Sequence, residues 1–152
     1  MKRTALQRKT ALRAHQPMKA GAGLSRASKP LRRGRSTGKP TAAESWRLVT
    51  VKALGCICCM LNREMGMATA YFGPGDAHHL LSGGLRRGHM ATIGLCKWHH
   101  QAEPPYPGMG EREAIERFGP SVATGSKPFH ALYGSDDDLL AFQNALLALV
   151  QP

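Results

Sequence analysis

Two short pairs of metal-binding side chains stand out in the chain, Cys56-x-x-Cys59 and, further along, Cys96-x-x-His99. Each pair points two ligands at one spot, and four such ligands complete a closed tetrahedral Zn²⁺ site. Cys58 is an alternative to Cys59, at the cost of an unusually tight C-x-C turn. With zinc saturated, His78, His79 and His100 are left over. Three spare imidazoles beside a closed site suggest a second, open one, where an ion keeps positions for water and a phosphate. In a reducing compartment, four Cys at these spacings with His nearby favour metal ligation over disulfides.

Local geometry divides the histidines between two jobs. Neighbouring helix residues differ by about 100° in direction, so His99 and His100 do not share an ion. If His99 faces zinc, His100 faces the strand that presents His78 and His79. Neighbouring strand residues point to opposite faces, so one of that doublet joins His100 on a second metal while the other is aimed at substrate.

The elements that must position these side chains can be read from caps and breakers. Thr41-Ala-Ala-Glu44 fits a capping box, Trp46, Val49, Ala53 and Leu54 fall on one helical face, and Gly55 stops the helix just before Cys56. Thr69–Phe72 is weakly strand-like, Ala77–Leu81 forms a strand carrying the His doublet, and Ala91–Leu95 forms another. Ser82-Gly83-Gly84 and Arg86-Arg87-Gly88 read as loop. A turn or two of helix follows from Lys97 to Ala102. Two more helices are expected, over Glu111–Phe118 and over Ser135–Val150, the latter with a stripe of Leu139, Leu140, Phe142, Leu146, Leu147 and Val150. The fold class is therefore α+β: a small zinc-stabilised strand–loop–strand–helix core, the ββα-metal arrangement, with flanking helices. A sheet this small, with such Gly-rich loops, has little core. A closed zinc site contributes roughly 10–16 kcal/mol to folding in comparable small domains.

Charge divides the 152 residues into an arm and a body. Met1 to Ala43 holds twelve Lys or Arg and no acid, whereas Glu44 to Pro152 holds nine bases against all ten acids. The expected organisation is a disordered basic DNA-binding arm over 1–40 and a folded domain over 41–152. The arm has too few large apolar residues to order by itself, and its natural partner is polyphosphate, with Arg32, Arg33 and Arg35 as candidate contacts. An organelle transit peptide is the alternative for such an acid-free stretch. No apolar run approaches the ~20 residues of a membrane span, so the chain reads as soluble and intracellular, with no membrane partner.

The order His78-His79, Gly-rich loop, strand, Cys96-x-x-His99-His100 resembles the zinc-stabilised HNH nucleases. More narrowly, Ala77-His-His-Leu, Arg86-Arg-Gly-His89, Thr92-Ile-Gly-Leu-Cys-Lys-Trp-His-His100, Gly119-Pro-Ser and Phe129-His-Ala-Leu-Tyr-Gly-Ser-Asp-Asp137 look like the phage recombination-enhancement nucleases, over about Gly55 to Gln143. That resemblance implies a hydrolase acting on DNA phosphodiester bonds alongside the RecA recombinase. It would cut strand-exchange structures (D-loops) created by the RecA filament, in the cytoplasm of a bacterial host at the nucleoid. It also implies roles. Cys56, Cys59, Cys96 and His99 hold the structural zinc, His78 and His100 hold the catalytic metal, and His79 is the general base. The sequence departs from the HNH pattern in the middle position, because no Asn lies between His79 and Cys96. His89 or Thr92 can fill that slot. His also replaces Asp at position 78; two imidazoles favour Zn²⁺, Ni²⁺ or Mn²⁺, and Mg²⁺ can serve with water and phosphate oxygens. Arg86 and Arg87 are candidates for clamping a neighbouring phosphate, while His130 reads as a packing or surface residue. The competing class is a non-catalytic zinc-binding adaptor with a basic arm, and RNA as substrate is compatible with the same motif. Oligomeric state is not encoded in these motifs.

Overall fold

The computed structural model describes residues 38–150, so the expected arm contributes only its last three residues, and Arg32, Arg33 and Arg35 lie outside the described part. Helix α1 (Ala42–Leu54) starts on the expected capping box. The Thr41 hydroxyl accepts from the Glu44 backbone N–H, and the Glu44 carboxylate accepts from the Thr41 N–H at 2.8 Å. Its buried face is not the expected one. Val49 is 68% exposed and Ala53 also faces outward, whereas Arg47 and Val51 are buried. Arg47 tolerates burial because its guanidinium donates to the Thr92 hydroxyl at 3.2 Å, the Thr92 carbonyl at 2.9 Å and Asn144 Oδ1 at 2.8 Å. A buried charge with that many acceptors outweighs the weaker apolar pull of the opposite face.

Helix α2 (Ile57–Glu64) follows immediately, where the C-x-x-C spacing predicts only a turn. The strand expected over Thr69–Phe72 does not form; that stretch is irregular. Strand β1 (Asp76–His79) and the later strand β4 (Thr92–Leu95) pair antiparallel, with Asp76 opposite Leu95, Ala77 opposite Gly94, His78 opposite Ile93 and His79 opposite Thr92. The loop between them holds a miniature hairpin of β2 (Leu81–Ser82) and β3 (Leu85–Arg86), turned by Gly83 and Gly84, both at positive φ. The expected strand thus ends at His79, and Leu81 belongs to the hairpin.

Helix α3 (Lys97–Gln101) leaves β4 through Cys96, and α4 (Glu111–Phe118) matches its expected span. Helix α5 (Ser126–Tyr133) has no counterpart in the sequence reading; Pro128 sits in its first turn, where a missing N–H breaks no helical bond. Helix α6 (Asp136–Leu149) opens on a Ser135–Asp138 capping box and buries Leu139, Gln143 and Leu147. Val150, the last residue of the expected stripe, is half exposed.

Strand β4 is wholly buried and is the hub of the packing. A side chain at Gly94 would collide with the Gly55 carbonyl oxygen, so glycine lets the end of α1 press directly on the strand. On the side away from β1, Gly94 N–H donates to Gln143 Oε1 of α6 at 2.9 Å. Ile57, Leu80, Ile93, Leu95, Trp98, Phe118, Phe129 and Leu139 fill the core around it. The described residues thus form a small α+β domain of six helices and two two-stranded sheets. No helix among them is long and apolar enough to cross a membrane.

Candidate functional site

Two helix starts build the cysteine cluster in the same way. Cys56 caps α2 and Cys59 stands three residues on; Cys96 caps α3 and His99 stands three residues on. At both ends the cap and the third helical residue turn toward one point, while the second helical residue, Cys58 or Trp98, is fully buried in the core. That repetition settles the choice between Cys58 and Cys59: the convergent set is Cys56, Cys59, Cys96 and His99, its ligand atoms all within 4.8 Å of one another. His99 Nδ1 lies 3.4 Å from Cys56 Sγ, 3.6 Å from Cys59 Sγ and 3.2 Å from Cys96 Sγ, and the sulfurs of Cys59 and Cys96 are 3.9 Å apart. A tetrahedral zinc with bonds of about 2.3 Å to sulfur and about 2.0 Å to nitrogen spaces its ligands roughly 3.5–3.8 Å apart, so the donor set fits this ion.

Electrostatics favours a cation there. Burial raises the Cys56 thiol, yet hydrogen bonds from Cys58, Cys59, Cys96 and His99 outweigh it and hold the group well below the usual thiol range. Burial lowers His99, but Cys56 and Cys59 win by hydrogen bonding and charge and push it up to about 9. The positive ends of α2 and α3 also face the thiolates. Behind the ring, His99 Nε2 reaches the Phe118 carbonyl at 2.9 Å. That carbonyl only accepts, so Nε2 carries the proton and Nδ1 is left to ligate. Asn62 and Tyr133 brace the same carbonyl, at 2.8 and 3.0 Å.

One residue further along α3, His100 turns away from the cysteines. Its ring meets that of His78 edge-on, with centroids 4.9 Å apart. Burial first, and the neighbouring His100 second, lower His78 to about 4, so this imidazole is neutral at physiological pH and its nitrogen lone pair is available to a metal. His79 points to the other side of β1, where its Nε2 lies 3.1 Å from His89 Nδ1. His89 Nε2 in turn sits 3.2 Å from the Gly38 carbonyl. For neutral rings these contacts fix the tautomers. The carbonyl requires a proton on His89 Nε2, His89 Nδ1 then accepts from His79 Nε2–H, and His79 Nδ1 is left without a proton. Burial, followed by the charge of Arg86, lowers His79 as well.

The structure brings His78 beside His100 and His79 beside His89, and it adds contacts behind them. Thr92, opposite His79, donates to the His89 carbonyl at 3.0 Å and is itself gripped by Arg47. Arg47 is a base inside a helix, and only its place at i−4 from Val51 hints at burial. Asp76 lies 3.6 Å from His100. Arg86 is exposed in β3, whereas Arg87 is ion-paired to Asp137 at 2.6 Å. His130, expected as a packing or surface residue, is partly exposed and hydrogen-bonds the Gly134 carbonyl at 2.9 Å at the end of α5.

No curated protein and no solved structure matches the chain. The profile of one protein family, described as recombination enhancement, RecA-dependent nuclease, matches residues 40–148, which takes in α1 through nearly all of α6 and every side chain of both clusters. The chain belongs to the family of RecA-dependent recombination-enhancement nucleases.

Proposed function

We propose that the chain is a metal-dependent endonuclease of the HNH type, which hydrolyses DNA phosphodiester bonds at the strand-exchange structures a RecA filament creates. The observation that carries this reading is the meeting of His78 and His100 beside a ligand set that is already complete. A zinc module without catalysis has no use for that second cluster. The element order supports it as well: β1 pairs with β4 across the β2–β3 hairpin, and β4 leads directly into α3.

In this reading His78 and His100 hold a divalent ion, Mg²⁺, Mn²⁺ or Zn²⁺, which when bound stabilises negative charge growing on the phosphate and the leaving oxygen. His79 Nδ1 takes a proton from water, and the hydroxide attacks phosphorus. His89 fills the place of the missing Asn by holding His79 in the tautomer that exposes Nδ1. Arg86 steers the phosphate backbone, with Arg87 joining it if DNA displaces Asp137. Arg32, Arg33 and Arg35 of the arm add salt-sensitive affinity for DNA. The place of action is the host cytoplasm, at the nucleoid.

A D-loop assembled by RecA on labelled plasmid, incubated with the protein and Mg²⁺ or Mn²⁺, tests the reading. Metal-dependent cutting inside the D-loop that needs RecA is the expected result. Intact DNA under every metal condition, with the protein still bound, identifies an adaptor instead.

A further inference from the structure

His100 has a buried atom with no role in the arrangement above. Its Nδ1 has no exposed surface and no hydrogen-bond partner among the described residues, although the side chain as a whole is 26% exposed. The exposed part of the ring lies elsewhere, so an ion approaches His100 through Nε2. Facing Nδ1 is the Asp76 carboxylate, with Oδ2 at 3.6 Å, a few tenths of an ångström beyond hydrogen-bond length. The fold puts it there. Asp76 pairs with Leu95, the residue just before the Cys96 cap, so one turn of α3 brings His100 back over the start of β1. Strand alternation sets Asp76 on the same face as His78.

From this geometry we infer that Asp76 is a positioning residue for the ion held by His78 and His100; the inference rests on the ion site proposed above. Its carboxylate accepts Nδ1–H of His100, which fixes the tautomer with a bare Nε2 and aims that nitrogen at the space shared with His78. Asp76 thus acts through His100 and does not touch the substrate. A carboxylate behind a metal-binding imidazole orients the ring and raises its basicity, and losing one weakens metal binding about 10–100-fold. The buried, unpartnered Nδ1 is the observation that singles out Asp76 from the other exposed acids of the chain.

Mn²⁺ titration of the full-length, zinc-loaded protein, followed through the free-ion electron paramagnetic resonance signal, tests this directly. Asp76→Ala is expected to bind Mn²⁺ about 10–100-fold more weakly with its zinc content unchanged. Asp76→Asn, which keeps an acceptor oxygen without the charge, falls between that variant and the unmodified protein. In a His100→Ala background, Asp76→Ala then adds nothing, because its effect travels through the imidazole. Unmodified affinity in both Asp76 variants overturns the inference, as does an undiminished loss in the His100→Ala background, which would make Asp76 a ligand in its own right. Failure of the underlying site looks different: the unmodified protein would bind no exchangeable Mn²⁺, or His78→Ala and His100→Ala would leave binding intact.

Discussion

His99 and His100 are neighbours on one short helix, yet they belong to two clusters with opposite designs. His99 is fully buried, its ring held between three sulfurs and the Phe118 carbonyl, with no coordination position left over. His100 keeps part of its ring at the surface, next to one other histidine and one carboxylate. The first arrangement suits an ion that never leaves; the second suits one that exchanges and meets substrate. The difference places two clusters one helical residue apart without their sharing a side chain.

The sharpest way to break this contrast is at the closed cluster. Cys59→Ser should lose zinc and unfold the domain, because a structural zinc supplies roughly 10–16 kcal/mol of apparent binding energy to folding. Circular dichroism together with zinc analysis checks it, and a folded, zinc-free variant would assign the cluster a lesser role. The open cluster should answer differently. His79→Ala is expected to lower cleavage by about 10²–10⁴-fold, the usual worth of a general base, with zinc content and melting temperature unchanged.

Between these effects in size comes Arg47, which touches neither cluster but grips Thr92 and so steadies the turn that carries His89. Arg47→Ala should cost about 2–3 kcal/mol in urea unfolding, since buried acceptors lose a charged donor, and Arg47→Lys should not restore it. A smaller, graded effect follows from His78. The unfolded chain takes up a proton on this imidazole near pH 6.5, whereas the fold resists until about 4. Within that window protonation favours the unfolded state, so His78 costs no stability above 6.5 and the fold loses stability as pH falls toward 4. Urea midpoints measured across these pH values should decline, and His78→Asn should flatten that part of the slope.

How much of this was legible in the sequence depends on the range of the interaction. Capping boxes, the Gly55 stop, the C-x-x-C and C-x-x-H pairs and the span of α4 depend on neighbours a few residues apart, and they appear where local chemistry puts them. The face of α1 does not, because it is set by Thr92 and Asn144, 45 and 97 residues away. Helix α2 is not legible from the C-x-x-C spacing alone, because that spacing fits a bare ligand turn as well as a helix cap and its third residue. The angular steps of helix and strand separate His99 from His100 and His78 from His79, and the structure keeps both separations. Their supports, Asp76, Arg47 and the Gly38 carbonyl behind His89, come together only when β1 pairs with β4 and α1 packs on the strand.

The central claim is that the ion that holds the domain together and the site that cuts DNA are separate, and His78→Ala/His100→Ala tests it most directly. Zinc content, melting temperature and D-loop cleavage should be measured on the same preparation of that double variant. One zinc per chain, an unchanged melting temperature and no cleavage is the predicted outcome. Loss of the zinc along with the histidines, or cleavage that survives without them, would contradict it.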